Sequence, residues 1–286
     1  VRPFGSLEKM YNDDYVWLNH SISPSKINIE DFKTKVGSSK NTYNMSVLNI
    51  SGTSFGAISP PAITSLNKAA KIGGFAQNTG EGSLSSYHEL GGGDLIWQIS
   101  TGYFGCRDTN GNFCRKTFSI KAKLKNVKMI EIKLSQGAKP GHGGMLLSDK
   151  VTEEIATTRG VKVGVDCISP SSHSEFSNPV ELLKFADELR KLSGGKPVGI
   201  KLCIGHPWEF IAIVKAMTTE KILLDFITVD GAEGGTGAAP AEFTDHLGCP
   251  LKDAIVFVEN CLIGANIRDK VKIGASGKIV SAFDTV

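Results

Sequence analysis

Charged side chains set among glycines or inside apolar runs are the residues best placed to do chemistry. Glu81 stands between two glycines, and Lys133 and Lys139 span a predicted strand end and its loop. Lys201 interrupts the apolar run 198–203, where a charge is costly to bury unless it is paired or is itself the working group. Lys201 could therefore stabilise negative charge on a bound cofactor, or its stem could be buried while its ammonium reaches water. Glu81, taken alone, is typical of an ordinary loop carboxylate.

Five glycine-containing segments follow predicted strands and could line one ligand site. Glycine lets backbone N–H groups come close to a ligand, and a neighbouring helix start favours an anion. Loops that follow parallel strands share one rim, so five of them together favour a ligand over unrelated tight turns. Gly274 and Gly277 precede a helix start and are a candidate phosphate cradle. The five segments are 51–57, 78–82, 136–144, 230–237 and 274–278.

Short apolar runs alternate with amphipathic segments from Met45 onward, which is typical of repeated β–α units on a parallel sheet. The intervening helices begin at N-cap residues such as Ser59, Thr152 and Asn178, the last of which is followed by a proline. Seven strands are predicted, at 47–50, 74–77, 129–134, 163–168, 198–203, 226–229 and 271–273.

Seven β–α units in series predict an α/β fold, a TIM-type (β/α)8 barrel truncated before its eighth unit. Residues 1–44 are predicted to be an N-terminal lead-in that packs on the barrel. Residues 45–286 are predicted to be the barrel itself, incomplete at its C-terminus. Because the sequence opens on Val1 and stops inside a helix start, we expect it to be a fragment of a longer protein.

One stretch, 85–127, interrupts this series between the second and third strands. Asn110-Gly111 favours a turn, and Phe118 and Ile120 alternate with the period of a strand. We therefore predict a β-hairpin insertion after strand 2.

Composition limits the classes of function. The formal net charge is only +3 and is spread along the chain, which argues against a nucleic-acid partner or a membrane surface. No apolar run approaches the ~18 residues of a membrane span, and no secretory signal opens the sequence. Six cysteines without a C-x-x-C pair predict reduced, mostly buried thiols in a cytoplasmic protein, although a membrane anchor upstream of residue 1 stays open. The histidines lack the spacing of metal ligands and, His142 apart, are predicted to be ordinary surface residues.

Six motifs, in this order, resemble the FMN domain of glutamate synthases, in particular the stand-alone glutamate synthase-like FMN-binding proteins without a fused amidotransferase. The segments 136–144 and 234–238 are the most specific. The matching motifs are SFGAIS at 54–59, NTGEG at 78–82, TGYFG at 101–105, QGAKPGHGG at 136–144, CISP at 167–170 and GGTGA at 234–238.

The resemblance implies that FMN lies across the barrel mouth. Ser54, Phe55 and Gly56 would lie under its ring. Gln136 and Lys201 would lie near the polar edge of the ring, where Lys201 would favour the anionic reduced flavin. The ribityl and phosphate end would be carried by Gly234, Gly235, Gly274 and Gly277.

The same resemblance implies a catalytic set around 2-oxoglutarate or its imine. Lys133, Lys139 and Arg159 would suit the two carboxylates, arginine through a bidentate fork. Glu81 would relay protons as ammonia condenses with the keto group. Reduced FMN would then deliver hydride to the imine carbon of 2-iminoglutarate, yielding glutamate. The electrons would come from a donor such as ferredoxin or a reductase subunit.

Two departures from the family leave alternatives open. Met145 stands where the large glutamate synthases carry a glutamine near the substrate, so a second hypothesis is an FMN barrel oxidoreductase acting on another imine or on a hydroxy or keto acid. The family's iron–sulfur segment follows strand 8 and is expected only in the longer parent protein, because none of the six cysteines can replace it. The fragment alone is expected to be inactive and to bind FMN weakly, which leaves a non-catalytic scaffold as a third hypothesis.

Overall fold

The structure is a computed structural model that describes residues 17–38, 40–235 and 239–285. Its elements alternate between strands and helices for most of the chain. In chain order they are a 3-10 helix (Ile29–Phe32), β1 (Lys33–Val36), β2 (Tyr43–Ser46), α1 (Pro60–Gly73), β3 (Ala76–Asn78), α2 (Ser86–Leu90), β4 (Asp94–Ile99), α3 (Arg115–Ala122), β5 (Val127–Lys133), β6 (Met145–Leu146), a second 3-10 helix (Ser148–Lys150), α4 (Glu153–Arg159), β7 (Cys167–Ile168), α5 (Pro179–Leu192), β8 (Val198–Leu202), α6 (Pro207–Glu220), β9 (Phe226–Asp230), α7 (Leu251–Gly264), β10 (Lys272–Ser276) and α8 (Ala282–Thr285).

The centre of the fold, within the described residues, is a six-stranded parallel sheet in the order β10-β9-β8-β5-β4-β3. The sheet curls into half a barrel. Across its concave face the Thr228 hydroxyl on β9 donates to Glu131 Oε2 on β5 at 2.7 Å, although β8 lies between these strands. Gly199 of β8 stands opposite Glu131 and places no side chain in the way. This curled parallel sheet, with helices outside it, confirms the predicted α/β barrel class.

Alternate residues along the strands separate two layers, as the pleat of a strand requires. Outward-facing side chains such as Trp97, Ile130 and Ile200 are buried among the helices in the main hydrophobic core. The inward-facing residues change character along the strands: an apolar floor is followed by polar and then charged side chains. The floor consists of Ala76, Ile96, Met129 and Phe226, and Val36 of β1 packs on it. The chemistry of the inner face therefore lies towards the carboxyl ends of the strands.

The antiparallel β1–β2 hairpin packs on this floor. Val36 is buried in it, and Tyr43 and Met45 pack against it. Because β2 runs across residue 44, the hairpin belongs to both sides of the predicted boundary. The division of the chain into 1–44 and 45–286 stays a prediction.

The helix starts that the sequence predicts are confirmed. The side chains of Ser59, Thr152 and Asn178 accept hydrogen bonds from the backbone N–H groups of the first turns of α1, α4 and α5. Gly74 ends α1 with a left-handed backbone, φ +67°, which a residue without Cβ adopts at little cost.

The hairpin predicted for residues 85–127 is wrong. The stretch holds α2, β4 and α3, and β4 pairs in parallel with both β3 and β5 as a full member of the sheet. Phe118 lies in α3, where it stacks on Trp97 at 5.2 Å between ring centroids. A turn does form around Gly111, but the only antiparallel pairing beside it within the described residues is a single bridge between Arg107 and Phe113.

Two other predicted strands are reduced. Of the segment 163–168 only Cys167–Ile168 is extended, and it pairs antiparallel with β6 outside the barrel. Gly164 has φ +65°, which breaks the extended backbone that the alternating valines suggest. The segment 47–50 contributes one parallel bridge, between Ile50 and Gln77, and leaves Val47 exposed.

Candidate functional site

The glycine segments after the strands meet on one rim, and those after residue 50, β3 and β5 surround Glu81. Gly80 packs so closely on the preceding loop that an added Cβ would lie 2.6 Å from the Ser54 nitrogen. The Gly82 N–H donates to Ser54 Oγ at 3.2 Å. On the opposite side of Glu81, a Cβ at Gly144 would lie 1.4 Å from Glu81 Oε1. These contacts hold the carboxylate between two stretches of glycine backbone.

Glu81 is the centre of a hydrogen-bonded cluster. Its Oε2 accepts from Lys133 Nζ at 3.1 Å and from Ser100 Oγ at 3.0 Å. Lys133 Nζ also donates to Gln136 Oε1 at 2.5 Å. The side chains of Glu81 and Lys133 are only 11% and 13% exposed. The ion pair is therefore largely removed from water, where each partner depends on the other.

The ionisation of Glu81 follows from these neighbours. Burial raises the pKa of this carboxyl, but the Lys133 ammonium and the hydrogen bonds from Lys133 and Ser100 lower it by more. Arg159 adds a smaller lowering, and the net pKa of Glu81 lies below its ordinary value. Glu81 is therefore a carboxylate at neutral pH.

A cleft of about 270 Å³, counting its open mouth, lies over this cluster. Its walls come from the loops after β4 and β5 and from the segment that precedes α5. The lining residues are Glu81, Ser100, Thr101, Lys133, Leu134, Ser135, Gln136, His142, Gly143, Gly144, Pro170 and Ser171. Most of the lining residues are polar, and the enclosed part of the cleft is small.

Lys139 and Arg159 are close to the cluster but do not line the cleft. Lys139 is buried. Burial lowers the pKa of its ammonium, Glu81 opposes that effect, and Lys133 adds to it. Arg159 is buried beneath the rim, where Nη2 donates to the Phe55 carbonyl at 2.9 Å and the guanidinium lies 5.2 Å from the centre of the Phe104 ring. Arg159 thus holds the loop after residue 50, while its Nε is buried with no hydrogen-bond partner among the described residues.

The predicted flavin-ring residues 54–56 lie in that loop. The Phe55 ring is buried in a small core cluster with Ile63 and Phe104, so the residue faces the rim with its backbone only. Gly56 has φ +99°, and a Cβ there would come within 3.3 Å of Arg159 Nη2. The loop therefore has its shape fixed from below by Arg159.

Lys201 lies on the inner face, in register with Lys133 on the neighbouring strand. Its side chain is 12% exposed, and Nζ lies 3.5 Å from Asp230 Oδ1. The other oxygen of Asp230 accepts from the Gly137 N–H at 2.9 Å. The Lys201 ammonium is therefore paired and largely removed from water, which differs from the alternative in which it reaches water.

The remaining glycine loops close the rim beyond Asp230. The Ala138 N–H donates to the Gly234 carbonyl at 2.7 Å, and a Cβ at Gly235 would lie 2.6 Å from Ala138 Cβ. Gly277, with φ +129°, lies beside Gly234: a Cβ added at Gly277 would lie 3.3 Å from the Gly234 nitrogen. Gly274 lies within β10, paired with Thr228, because this strand runs three residues beyond its predicted end. The predicted motif residues 236–238 lie outside the described residues.

Sequence reasoning missed a buried carboxylate below the rim. Glu131 Oε1 accepts from Asn78 Nδ2 and Gln98 Nε2, each at 2.7 Å, and its Oε2 accepts from Thr228. The signal was present, because Glu131 alternates with Lys133 in the run 129–133, whose other residues are apolar, and so faces the same side. This layer supports the rim, since Asn78 Oδ1 also accepts from the Gly80 N–H at 2.9 Å.

Two histidines are buried rather than superficial, which corrects the prediction for them. His88 Nδ1 lies 2.8 Å from Ser85 Oγ in the first turn of α2. His173 contacts the Tyr103 hydroxyl and the Lys133 carbonyl. The partner of His88 is only three residues away, whereas those of His173 come from loops that the sequence alone does not bring together.

Other classes of site are not seen in the described ranges. Among residues 17–38, 40–235 and 239–285, no three His, Cys, Asp or Glu side chains come together in a way that could hold a metal ion. No helix within those ranges combines the length and the apolar character needed to cross a membrane. The six cysteines are free thiols, of which Cys106 and Cys167 are buried.

Comparisons with known proteins agree with this architecture. Residues 12–286 match a family model described as the conserved region in glutamate synthase. The chain is 43% identical over 240 residues to the glutamate synthase large subunit-like protein YerD of Bacillus subtilis, covering 84% of this chain and 45% of that protein. It is 34% identical over 272 residues to the archaeal glutamate synthase (NADPH) of Methanocaldococcus jannaschii, covering 95% of this chain and 50% of the relative.

Among solved structures, a mandelate oxidase mutant with (S)-mandelic acid shares the fold with a TM-score of 0.50 and 12% identity, over 92% of this chain and 67% of that one. The fold and the site define this chain as a parallel α/β half-barrel protein with a charged rim. The chain belongs to the glutamate synthase family, which confirms the resemblance carried by its motifs. It spans about half the length of these two curated relatives.

Proposed function

We propose that this chain is the FMN-binding catalytic domain of a glutamate synthase-type oxidoreductase, which forms glutamate from 2-oxoglutarate and ammonia through 2-iminoglutarate. The observation that supports it most is the Glu81–Lys133 pair at the mouth of a parallel half-barrel, where an ionised carboxylate is held between an ammonium and a hydroxyl. NADPH in the name of the archaeal relative favours a nicotinamide source of electrons, delivered by ferredoxin or a reductase subunit.

The donor set on the rim fits FMN. Lys201 supplies a cation and Gln136 an amide at the mouth, which suits the polar edge of a flavin ring. The left-handed backbone at Gly277 favours glycine there, and an added Cβ at Gly277 would lie 3.3 Å from the Gly234 nitrogen. The residues that we assign to FMN are Ser54, Phe55, Gly56, Gln136, Lys201, Gly234, Gly235, Gly274 and Gly277. When bound, reduced FMN would supply the hydride that reduces an imine carbon.

Glu81 is the proton carrier in this proposal. As a carboxylate it accepts a proton from the nitrogen that attacks the keto carbon and returns one to the departing hydroxyl, so that water leaves. Lys133 and Ser100 hold its Oε2, and Oε1 faces Gly144 with no hydrogen bond among the described residues. Oε1 is therefore the atom that we assign to the proton transfers.

Lys133 is the cation that we assign to direct contact with a carboxylate of the substrate, and Lys139 and Arg159 are assigned to the positive charge around it. Lys133 already lies in the cleft. Lys139 is buried close enough to Glu81 for their charges to interact, and Arg159 keeps an unpartnered Nε. A substrate with two negative charges would offset the free energy that it costs to keep these cations out of water.

Purification of the intact protein tests the proposal. We expect one FMN per chain, released on heating, and glutamate formation from 2-oxoglutarate plus ammonium with reduced methyl viologen as the electron donor. Omission of ammonium should abolish the product. A colourless protein that FMN cannot reconstitute would refute the proposal.

Met145 favours a second candidate, reduction of a different imine or keto acid by the same cofactor. Its side chain is 51% exposed and pairs across β6–β7 with Ile168, so it brings no polar group to the substrate. Reduced enzyme that 2-oxoglutarate plus ammonium does not reoxidise, but that another keto acid plus ammonium does, would favour this candidate. Tight binding of FMN to the 286-residue chain would contradict a non-catalytic scaffold.

A further inference from the structure

His173 joins the end of β5 to Tyr103. Its Nε2 lies 3.0 Å from the Lys133 backbone oxygen, and its Nδ1 lies 3.1 Å from the Tyr103 hydroxyl. Since a carbonyl oxygen only accepts, Nε2 must carry the proton, and Nδ1 must accept from the Tyr103 O–H. Both ring nitrogens therefore have partners, and the residue is only 7% exposed.

Tyr103 also holds Ser100, through its main chain. Its N–H donates to the Ser100 carbonyl at 2.9 Å, and its hydroxyl accepts from the Glu175 N–H at 3.3 Å. The backbone of Tyr103 has φ +47°, a conformation that an aromatic residue rarely adopts and that persists only where surrounding contacts fix it. This conformation lets one residue reach Ser100 with its backbone and His173 with its ring.

Ser100 and Lys133 are the two residues that donate to Glu81 Oε2. The hydrogen bonds therefore form a closed circuit: Tyr103 reaches Glu81 on one side through Ser100, and on the other through His173 and Lys133. We propose that Tyr103 and His173 are positioning residues, which hold the two donors of Glu81 at a fixed separation. The expected effect of these residues on turnover rests on the proposed function of Glu81. Their expected effect on the position of Lys133 and Ser100 does not.

The charges around Glu81 determine what the loss of this circuit would do. Lys133 and Ser100 contact the carboxylate directly, Arg159 and Lys139 interact with it through space, and burial acts against its ionised form. If Lys133 moves away, burial meets less opposition and the pKa of Glu81 rises. His173 itself stays neutral near pH 7, because burial lowers its pKa to about 4 against a smaller raising effect of the Lys133 carbonyl.

Three variants of the intact protein test the circuit. Tyr103→Phe removes only the hydroxyl, and His173→Ala removes the bridge. His173→Gln is the conservative variant, because its amide can still donate to the Lys133 carbonyl. The matched control is Phe185→Leu. Phe185 packs on Phe113 and Phe176 in the same aromatic cluster and has no hydrogen bond to the circuit.

Two measurements read out the pKa of Glu81: the acidic limb of the pH–rate profile, and ¹³C NMR titration of glutamate carboxyls, with the Glu81 signal assigned through Glu81→Gln. In Tyr103→Phe and His173→Ala we expect the acidic limb of the profile and the midpoint of the NMR titration to move by about one pH unit towards higher pH. In His173→Gln the pKa of Glu81 should stay close to that of the unmodified protein. Phe185→Leu should lower only the melting temperature.

Unchanged titration of Glu81 in Tyr103→Phe and His173→Ala, with loss of thermal stability alone, would show that these are core residues and would overturn the proposal. The NMR titration needs no turnover. A protein that makes no glutamate but shows the shifted titration would therefore refute the proposed function and leave the positioning role intact.

Discussion

Lys133 and Lys201 stand opposite each other on adjacent parallel strands, yet each ammonium contacts a different carboxylate. Lys133 binds Glu81 at 3.1 Å, and Lys201 lies 3.5 Å from Asp230. Two largely buried cations at neighbouring register positions are tolerated because each has its own partner. In the proposed function this pairing divides the rim: the Lys133 side carries the substrate and the Lys201 side carries FMN.

The division predicts opposite phenotypes for two matched variants. Lys201→Met should weaken FMN binding about tenfold or more and make the bound flavin harder to reduce, because a cation near the anionic reduced ring is lost. Lys133→Met should keep FMN and lose turnover. Fluorescence titration and potentiometry of the two proteins check this. Equal loss of flavin in both would show that the rim is not divided in this way.

Gly144 should tolerate no side chain. A Cβ there would lie 1.4 Å from Glu81 Oε1, so Gly144→Ala must displace the carboxylate that we assign to proton transfer. We expect turnover to fall by about 10²-fold or more, the usual contribution of a positioned acid or base, with little change in stability. Gly205→Ala is the control on another rim loop, where an added Cβ meets nothing within 4 Å. Activity of Gly144→Ala equal to that control would contradict the assignment.

Acid should destabilise the fold through two buried histidines, His88 and His173, because burial lowers the pKa of each from 6.5 to about 4. The unfolded chain therefore binds these protons first, and stability falls as the pH drops from about 6.5 towards 4. The effect of each group is on the order of 3 kcal/mol.

Urea unfolding between pH 7 and pH 4.5 measures that loss. His88→Gln, which keeps an acceptor for the Ser85 N–H, should remove about half of the dependence that the two histidines cause, and the exposed His142→Gln should leave it unchanged. An identical pH dependence in His88→Gln and the unmodified protein would show that other groups carry the acid sensitivity.

Local signals predicted the parts of the fold that local forces determine. Ser59, Thr152 and Asn178 cap their helices as their types and neighbours indicate, because a cap requires only the adjacent turn. The strand β4 escaped prediction because Gln98 interrupts its apolar run. Gln98 is tolerated there only because Glu131, from another strand, accepts its amide hydrogen bond.

The candidate site was predictable as a set of rim residues but not as a set of contacts. Glycine spacing and family motifs indicated Glu81, Lys133 and Lys201 before their partners were known. Ser100 and Tyr103 come from a stretch predicted as a hairpin, and their contacts depend on a parallel strand at that point. Such long-range pairing leaves no trace in the spacing of nearby residues.

The most direct test of the proposed function is a single-turnover reoxidation of the reduced intact protein under anaerobic conditions, followed by flavin absorbance. The proposal predicts that absorbance returns only when 2-oxoglutarate and ammonium are both present, with one glutamate formed per flavin. Glu81→Gln should slow the return by about 10²-fold or more while it leaves FMN bound. Reoxidation without ammonium, or at an unchanged rate in Glu81→Gln, would contradict a site in which Glu81 carries the protons of imine formation.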